Sequence, residues 1–258
     1  MKDDGGRPLK PLKWYKDLAT RKGRLAAGAF LVEGQRAIGQ VTRSSPGSVI
    51  EILYTGEQPY RYGNYALRPL TGNQMQSISS ARTSQGTIAV VRLPEDTDSD
   101  RLPIEAGHRI LLLEDIQDPG NAGTLIRTAA AFDYSGIILT DKCADPFSPK
   151  CVQSTAGSAL SLWMRRTPAY LALIDELKRR GHCLVAADLG GSEDPSVLPG
   201  LDKLVLALGN EAVGPSNALL AKSDHTIKIS MAGAKAESLN VAACGAILMY
   251  LSRRNNQK

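Results

Sequence analysis

Ile110-Leu-Leu-Leu-Glu114, then Asp118-Pro-Gly-Asn-Ala-Gly-Thr-Leu-Ile-Arg127, is the stretch on which the fold class turns. The first run is apolar without alternation, the pattern of a strand buried on both faces. Pro119-Gly120 predicts a turn, and Asn121 the N-cap of a helix over 121–132. The same alternation continues downstream. Strands are expected over 136–139, 182–187, 203–208 and, briefly, 227–229; helices over 169–180 and 238–254. Strands alternating with helices call for a mostly parallel sheet covered on both faces, an α/β fold. Ligands of such sheets sit beyond the carboxyl ends of the strands, so the loops at 115–121, 209–216 and 230–238 become the candidate site.

Upstream of this region the pattern changes. Glu95-Asp-Thr-Asp-Ser-Asp100 has no apolar periodicity and reads as an exposed linker. Before it, strand-like stretches at 30–34, 49–54 and 86–92 alternate with helical ones at 35–43 and 72–80, as expected of a small α/β sandwich. The predicted organisation is a basic tail (1–19), a first domain (20–94), an acidic linker (95–105) and a second domain (106–258). Charge divides the same way. Residues 1–93 carry a net +8 and residues 94–258 a net −3, within an overall +5. A basic module ahead of a mildly acidic domain suggests binding to a polyanion.

Several function classes drop out. The longest nearly apolar stretch, 241–251, is about half of the roughly 20 residues needed to span a bilayer, and the start of the chain has no secretory h-region. No G-x-G-x-x-G follows the first strand of the second domain, and no G-x-x-x-x-G-K-[ST] occurs, against a dinucleotide dehydrogenase or a P-loop NTPase. The four cysteines are far apart, and His108, His182 and His225 are isolated, so no metal is expected. A reducing, cytoplasmic setting follows.

Three segments could carry chemistry. Arg127 lies on an otherwise apolar helical run and must reach solvent or an anion; the plainer reading is a capped surface helix. In Leu206-Ala-Leu-Gly-Asn-Glu-Ala-Val-Gly-Pro215, Gly209 admits close approach of a ligand to the backbone and Gly214 permits a tight reversal. Glu211 there needs a partner, although an ordinary strand-to-helix turn would have the same composition. Ser238 reads as the N-cap of a last helix rich in Ala and Gly, which tight packing alone could explain.

Together and in this order, Asn121/Gly123/Arg127 (N-x-G-x-x-x-R), Gly209–Gly214 (G-N-E-x-x-G) and Ser238–Ala242 (S-L-N-V-A) resemble the signature motifs of the SpoU (TrmH-like) branch of the SPOUT RNA methyltransferases. Phe30-Leu-Val-Glu-Gly-Gln-Arg36 and Ser84-Gln-Gly-Thr-Ile-Ala-Val-Val91 resemble the substrate-binding domain often found ahead of that catalytic domain. Ser230, where proline often precedes the methionine, and Ala212-Val213, where another glycine is common, depart from the pattern, as does the loop at 232–237.

The resemblance implies a SPOUT domain with a deep C-terminal trefoil knot, preceded by a small L30e-like RNA-binding domain, in a homodimer. It implies S-adenosylmethionine held by Leu208, Gly209, Gly214, Ile229, Met231, Ser238 and Leu239. It also implies methyl transfer to a ribose 2′-hydroxyl of RNA, ribosomal RNA above all. Arg127 is expected to stabilise charge on the attacking oxygen, Asn121 to orient Arg127 or the ribose, Glu211 to anchor the loops through their N–H groups, and Asn240 to support it. Arg21, Lys22, Arg24 and Arg36 are the expected RNA contacts. With only 13 aromatic residues, recognition should rest on folded RNA shape. The competing readings are a transfer-RNA enzyme, a base-nitrogen methyltransferase and a non-catalytic RNA-binding or ribosome-assembly protein.

Overall fold

Residues 10–232 and 237–253 are described in a computed structural model. The first half of the predicted basic tail, the middle of the 232–237 loop and the final residue of the predicted closing helix lie outside them. The chain forms two compact units, 1–95 with 145–161, and 96–144 with 162–258. A segment embedded in the second predicted domain thus belongs to the first unit.

In the first unit, α1 (Leu12–Asp17), α2 (Arg21–Ala27), β1 (Ala29–Glu33), α3 (Gln35–Ser44), β2 (Val49–Tyr54), β3 (Leu67–Pro69), α4 (Gly72–Ile78) and β4 (Thr87–Arg92) follow in order. The sheet order is β1-β4-β2-β3, with β4 antiparallel to both neighbours and β3 parallel to β2. Tyr15, Leu18, Leu53, Met75, Ile88 and Val90 fill the core on one side of it. α2 ends on Gly28 in the left-handed conformation, the usual glycine stop.

The second unit runs β5 (Arg109–Leu113), α5 (Pro119–Ala131) and β6 (Gly136–Leu139). The chain then crosses into the first unit for α6 (Pro149–Thr155). It returns as β7 (Trp163–Arg166), α7 (Tyr170–Arg179), β8 (Cys183–Ala187), β9 (Leu204–Leu208), α8 (Asn217–Lys222), β10 (His225–Ile227) and α9 (Val241–Leu251). All six strands are parallel, in the order β10-β8-β9-β5-β6-β7. Ile110, Leu112, Ile138, Leu184 and Val205 pack against Leu173, Ile174 and Leu177 of α7 on one face. Gly136 is required there by its neighbour: a Cβ would lie 1.9 Å from the Trp163 ring.

Two expectations change here. β7, Trp-Met-Arg-Arg, lies outside the strands expected from the sequence, and its Arg165 is buried. It is satisfied by Asp96 (2.6 Å) and by the carbonyls of Arg101 and Met164. The acidic run read as an exposed linker is therefore strapped along this edge strand: the Arg166 N–H also donates to the Thr97 carbonyl. Second, the last strand is His225–Ile227 and not 227–229, because past Ile227 the Lys228 N–H pairs with Glu193 and the chain leaves the sheet.

Candidate functional site

The carboxyl ends of four strands finish level with one another: Leu113 is paired with Leu208, Leu208 with Ala187, and Ala187 with Ile227. Beyond them lies a cavity of about 530 Å³. All seven residues expected to hold the cofactor line it: Leu208, Gly209, Gly214, Ile229, Met231, Ser238 and Leu239. Asn121, Glu211 and Asn240 also line it, and Arg127 does not.

Local chemistry shapes each wall. Gly209 ends β9 where the chain folds back so closely that a Cβ would meet the Pro215 nitrogen at 2.1 Å. Gly214 takes φ +72°, a conformation side-chain-bearing residues rarely adopt. The amides of this loop are collected by Asn210, whose Oδ1 accepts from Ala212 and Val213 (2.9 and 3.3 Å) while its Nδ2 donates to the Asp115 carbonyl at 2.9 Å. That is the role expected of Glu211, and it falls to its neighbour. Asp115 itself sits at φ +58° and is held by Thr140 on both its N–H and its carboxylate.

Both predicted helix caps move, with a consequence for the site. Asp118 caps α5, accepting from the Asn121 N–H at 2.9 Å, so Asn121 lies in the first turn with its side chain free for other partners. Asn240, not Ser238, caps α9: its Oδ1 accepts from Ala242 and Ala243. Asn240 Nδ2 then donates to Asn121 Oδ1, and Asn121 Nδ2 donates to Glu211 Oε1, both at 3.1 Å. One chain of hydrogen bonds thus ties the three sequence motifs together at the cavity.

Sequence reasoning missed a buried support beneath this loop. Glu114, 4% exposed, accepts from the Ser216 N–H (2.7 Å), from Ser216 Oγ (2.6 Å) and from the Tyr170 hydroxyl. Ser216 is the N-cap of α8, so Glu114 fixes the point where the 209–215 loop ends. Burial, then the adjoining carboxylate, pushes the Tyr170 hydroxyl up to about 12. Asp188 and Leu189, at the end of β8, were also missed as lining residues; the rule that ligands sit past carboxyl strand ends could have found them.

Arg127 points to solvent from α5, with no side-chain partner among the described residues. Of the expected RNA contacts, Arg21, Lys22 and Arg36 are exposed. Arg24 is not: it is 3% exposed, paired with Asp145 at 2.5 Å and bonded to the Leu18 and Ala19 carbonyls. It braces the first unit from within and has no face to offer a phosphate.

An all-parallel sheet with its polar residues gathered on three loops past the strand ends defines an α/β ligand-binding domain, and its motifs assign it further. Residues 108–250 match the SpoU rRNA Methylase family, and the chain belongs to that family. It is 33% identical over 252 residues to the 23S rRNA (guanosine(2553)-2′-O)-methyltransferase RlmP of Bacillus subtilis, covering 93% of this chain and 94% of that one. It is 31% identical to the 23S rRNA (uridine(2479)-2′-O)-methyltransferase of Streptomyces viridochromogenes, over 92% and 87% of the two chains. Among solved structures it resembles the SpoU methyltransferase AviRb of that organism in complex with AdoMet (TM-score 0.81, 30% identity, 95% and 97% coverage). It also resembles the AdoMet-bound rRNA methyltransferase of Sinorhizobium meliloti (TM-score 0.83, 26% identity, 96% and 95% coverage).

Proposed function

We propose that this protein transfers a methyl group from S-adenosylmethionine to a ribose 2′-hydroxyl of ribosomal RNA. The observation that carries the reading is the Asn240–Asn121–Glu211 hydrogen-bond chain, which draws the three family motifs onto one cavity. The relatives named as 23S rRNA 2′-O-methyltransferases cover nearly the whole chain and supply the substrate class.

The cavity suits the cofactor. Its volume lies within the usual range for small-molecule sites. Three of its apolar side chains, Leu189, Val213 and Leu239, are left exposed, as expected of walls that a ligand completes. Asp188 and Glu211 place carboxylates on the lining, groups that would suit a sulfonium cation or ribose hydroxyls. When bound, S-adenosylmethionine supplies an electrophilic methyl on sulfur. The protein's own work is to orient the acceptor and to offset charge as the 2′-oxygen attacks. Arg127 does the second. Its guanidinium supplies the positive charge that offsets the developing alkoxide. Asn121, held between Glu211 and Asn240, positions the first turn of the helix that carries Arg127.

The same reading takes the loop at 209–215 and the segments 228–232 and 237–240 as parts of a deep trefoil knot, the first unit as an L30e-like RNA-binding domain, and the working form as a homodimer. The dimer reading is supported by Ile247, Tyr250 and Leu251, apolar residues that α9 leaves exposed. Arg21, Lys22 and Arg36 supply the salt-dependent part of RNA affinity.

The test is incubation with labelled cofactor and separately purified ribosomal and transfer RNA, followed by nuclease digestion and mass spectrometry. A ribose mark in ribosomal RNA is expected; a base mark, or a mark confined to transfer RNA, overturns the assignment. Arg127→Ala should reduce methyl transfer by about 100-fold or more, with cofactor affinity by calorimetry unchanged because Arg127 is not part of the cavity wall.

A further inference from the structure

The first unit holds a second cavity, of about 590 Å³, assembled from β1 and the start of α3, the turn after α4, the start of β4, and α6. Its floor is apolar, formed in part by Leu31, Ile88 and Val152. Its polar groups are of an unusual kind. Gln35, Gln85 and Gln153 are exposed, and among the described residues none of their side-chain amides has a hydrogen-bond partner. The Gln85 amide is seated against Gly34, where a Cβ would lie 2.8 Å from Gln85 Oε1 at a φ of +91°. Any other residue at 34 would displace it. Glu33, the one carboxylate on the lining, is already engaged by Ser79 Oγ (2.6 Å) and the Ser80 N–H (3.2 Å). Arg36 stands on the rim, and exposed Arg82 directly follows the lining residue Ala81.

Each glutamine amide offers a donor and an acceptor side by side, the complement of a nucleobase edge. An apolar floor receives the face of a ring, and arginines at the mouth meet the phosphates on either side. A free phosphate would leave most of this volume and all three neutral amides without purpose, and an acidic peptide would need cations in their place. We propose that this cavity receives an unpaired nucleobase of the RNA substrate, read by Gln35, Gln85 and Gln153. The inference deepens the ribosomal-RNA reading above and rests on it.

The experiment uses the full chain and 23S rRNA transcripts carrying photoreactive thio-bases. Irradiation should cross-link one nucleotide to peptides spanning 31–37, 78–88 or 149–156, identified by mass spectrometry. The triple variant Gln35→Ala, Gln85→Ala, Gln153→Ala should bind the transcript about tenfold more weakly with unchanged affinity for S-adenosylmethionine. An abasic site at the cross-linked nucleotide should weaken binding of the parent protein and have no further effect on the variant. Ala81→Phe, which adds bulk to the lining while keeping all three glutamines, should reproduce the loss. Cross-links elsewhere, or variants that bind and methylate like the parent, overturn the pocket while leaving the reaction intact. A parent that binds through these peptides yet methylates no ribosomal RNA overturns the reaction and leaves the pocket standing.

Discussion

The two cavities are alike in size, about 530 and 590 Å³, and opposite in construction. The one in the second unit is made where parallel strands end together; backbone turns, small residues and apolar walls define it, and a hydrogen-bond chain of three side chains locks it. The one in the first unit is edged by uncommitted amides on a mixed sheet. A cavity whose loops are tied to one another by their own side chains has part of its shape before its ligand arrives, as a small cofactor requires. One whose amides await partners gains its specificity from the ligand's own edge, as an RNA reader requires.

That contrast can be broken from the first unit's side with the largest effect. Arg24→Met removes a buried guanidinium that holds Asp145 and two carbonyls. Leaving that carboxylate with the Phe147 N–H (2.9 Å) and a more distant Arg21 (3.8 Å) should destabilise the first unit by about 3 kcal/mol. Denaturant unfolding followed by the first unit's Trp14 should show it. Affinity for S-adenosylmethionine at low denaturant should hold. If the two losses track together, the cavities are not independent.

The converse is Glu114→Gln. The amide can accept from Ser216 but sets an NH₂ against donors that now need an acceptor, a loss of about 1–3 kcal/mol. Because Ser216 starts α8 at the end of the 209–215 loop, cofactor affinity should fall, while RNA binding through Lys22 and Arg36 persists. Unchanged calorimetry would show that the loop holds its shape without this support. Asn240→Ala is milder. It deletes the α9 cap and one link of the motif chain, an expected loss of about 1 kcal/mol, with weaker cofactor binding as its distinguishing sign.

The same contrast explains what the sequence made legible. Parallel strands buried on both faces are written as unbroken apolar runs, so 110–114 and 203–208 could be read directly, and Asn121 and the Gly209–Gly214 loop that follow them line one cavity while Arg127 does not. β7 was hidden because its Arg165 is buried by partners about 70 residues away in the chain, Asp96 and Arg101. Composition favours Asn121 and Ser238 as caps, yet the carboxylate of Asp118 and the amide of Asn240 take those places. Arg24 looked like part of a basic face because nothing local announces Asp145, which returns to the first unit on a segment interrupting the second. The glutamine cavity was illegible for the same reason: its parts come from four separated stretches, and no motif spans them.

The smallest effect sharpens the account of the buried support. Burial and Glu114 raise the Tyr170 hydroxyl to about 12 from an ordinary value of 10. Below pH 10 both folded and unfolded chains keep the proton and the group adds no pH dependence. Between 10 and 12 the unfolded chain releases it while the folded one does not, so stability falls as pH rises. Tyr134, also raised to about 12 by burial, contributes a slope of the same sign. Tyr170→Phe should therefore remove one share of the alkaline loss and leave the rest, while the missing hydrogen bond to Glu114 lowers stability by about 1 kcal/mol at neutral pH. Unfolding curves at pH 8, 10 and 11 on parent and variant would measure both. Parallel pH profiles for the two proteins would mean that the phenol is not held neutral by the carboxylate and its burial, and that Glu114 supports the loop through Ser216 alone.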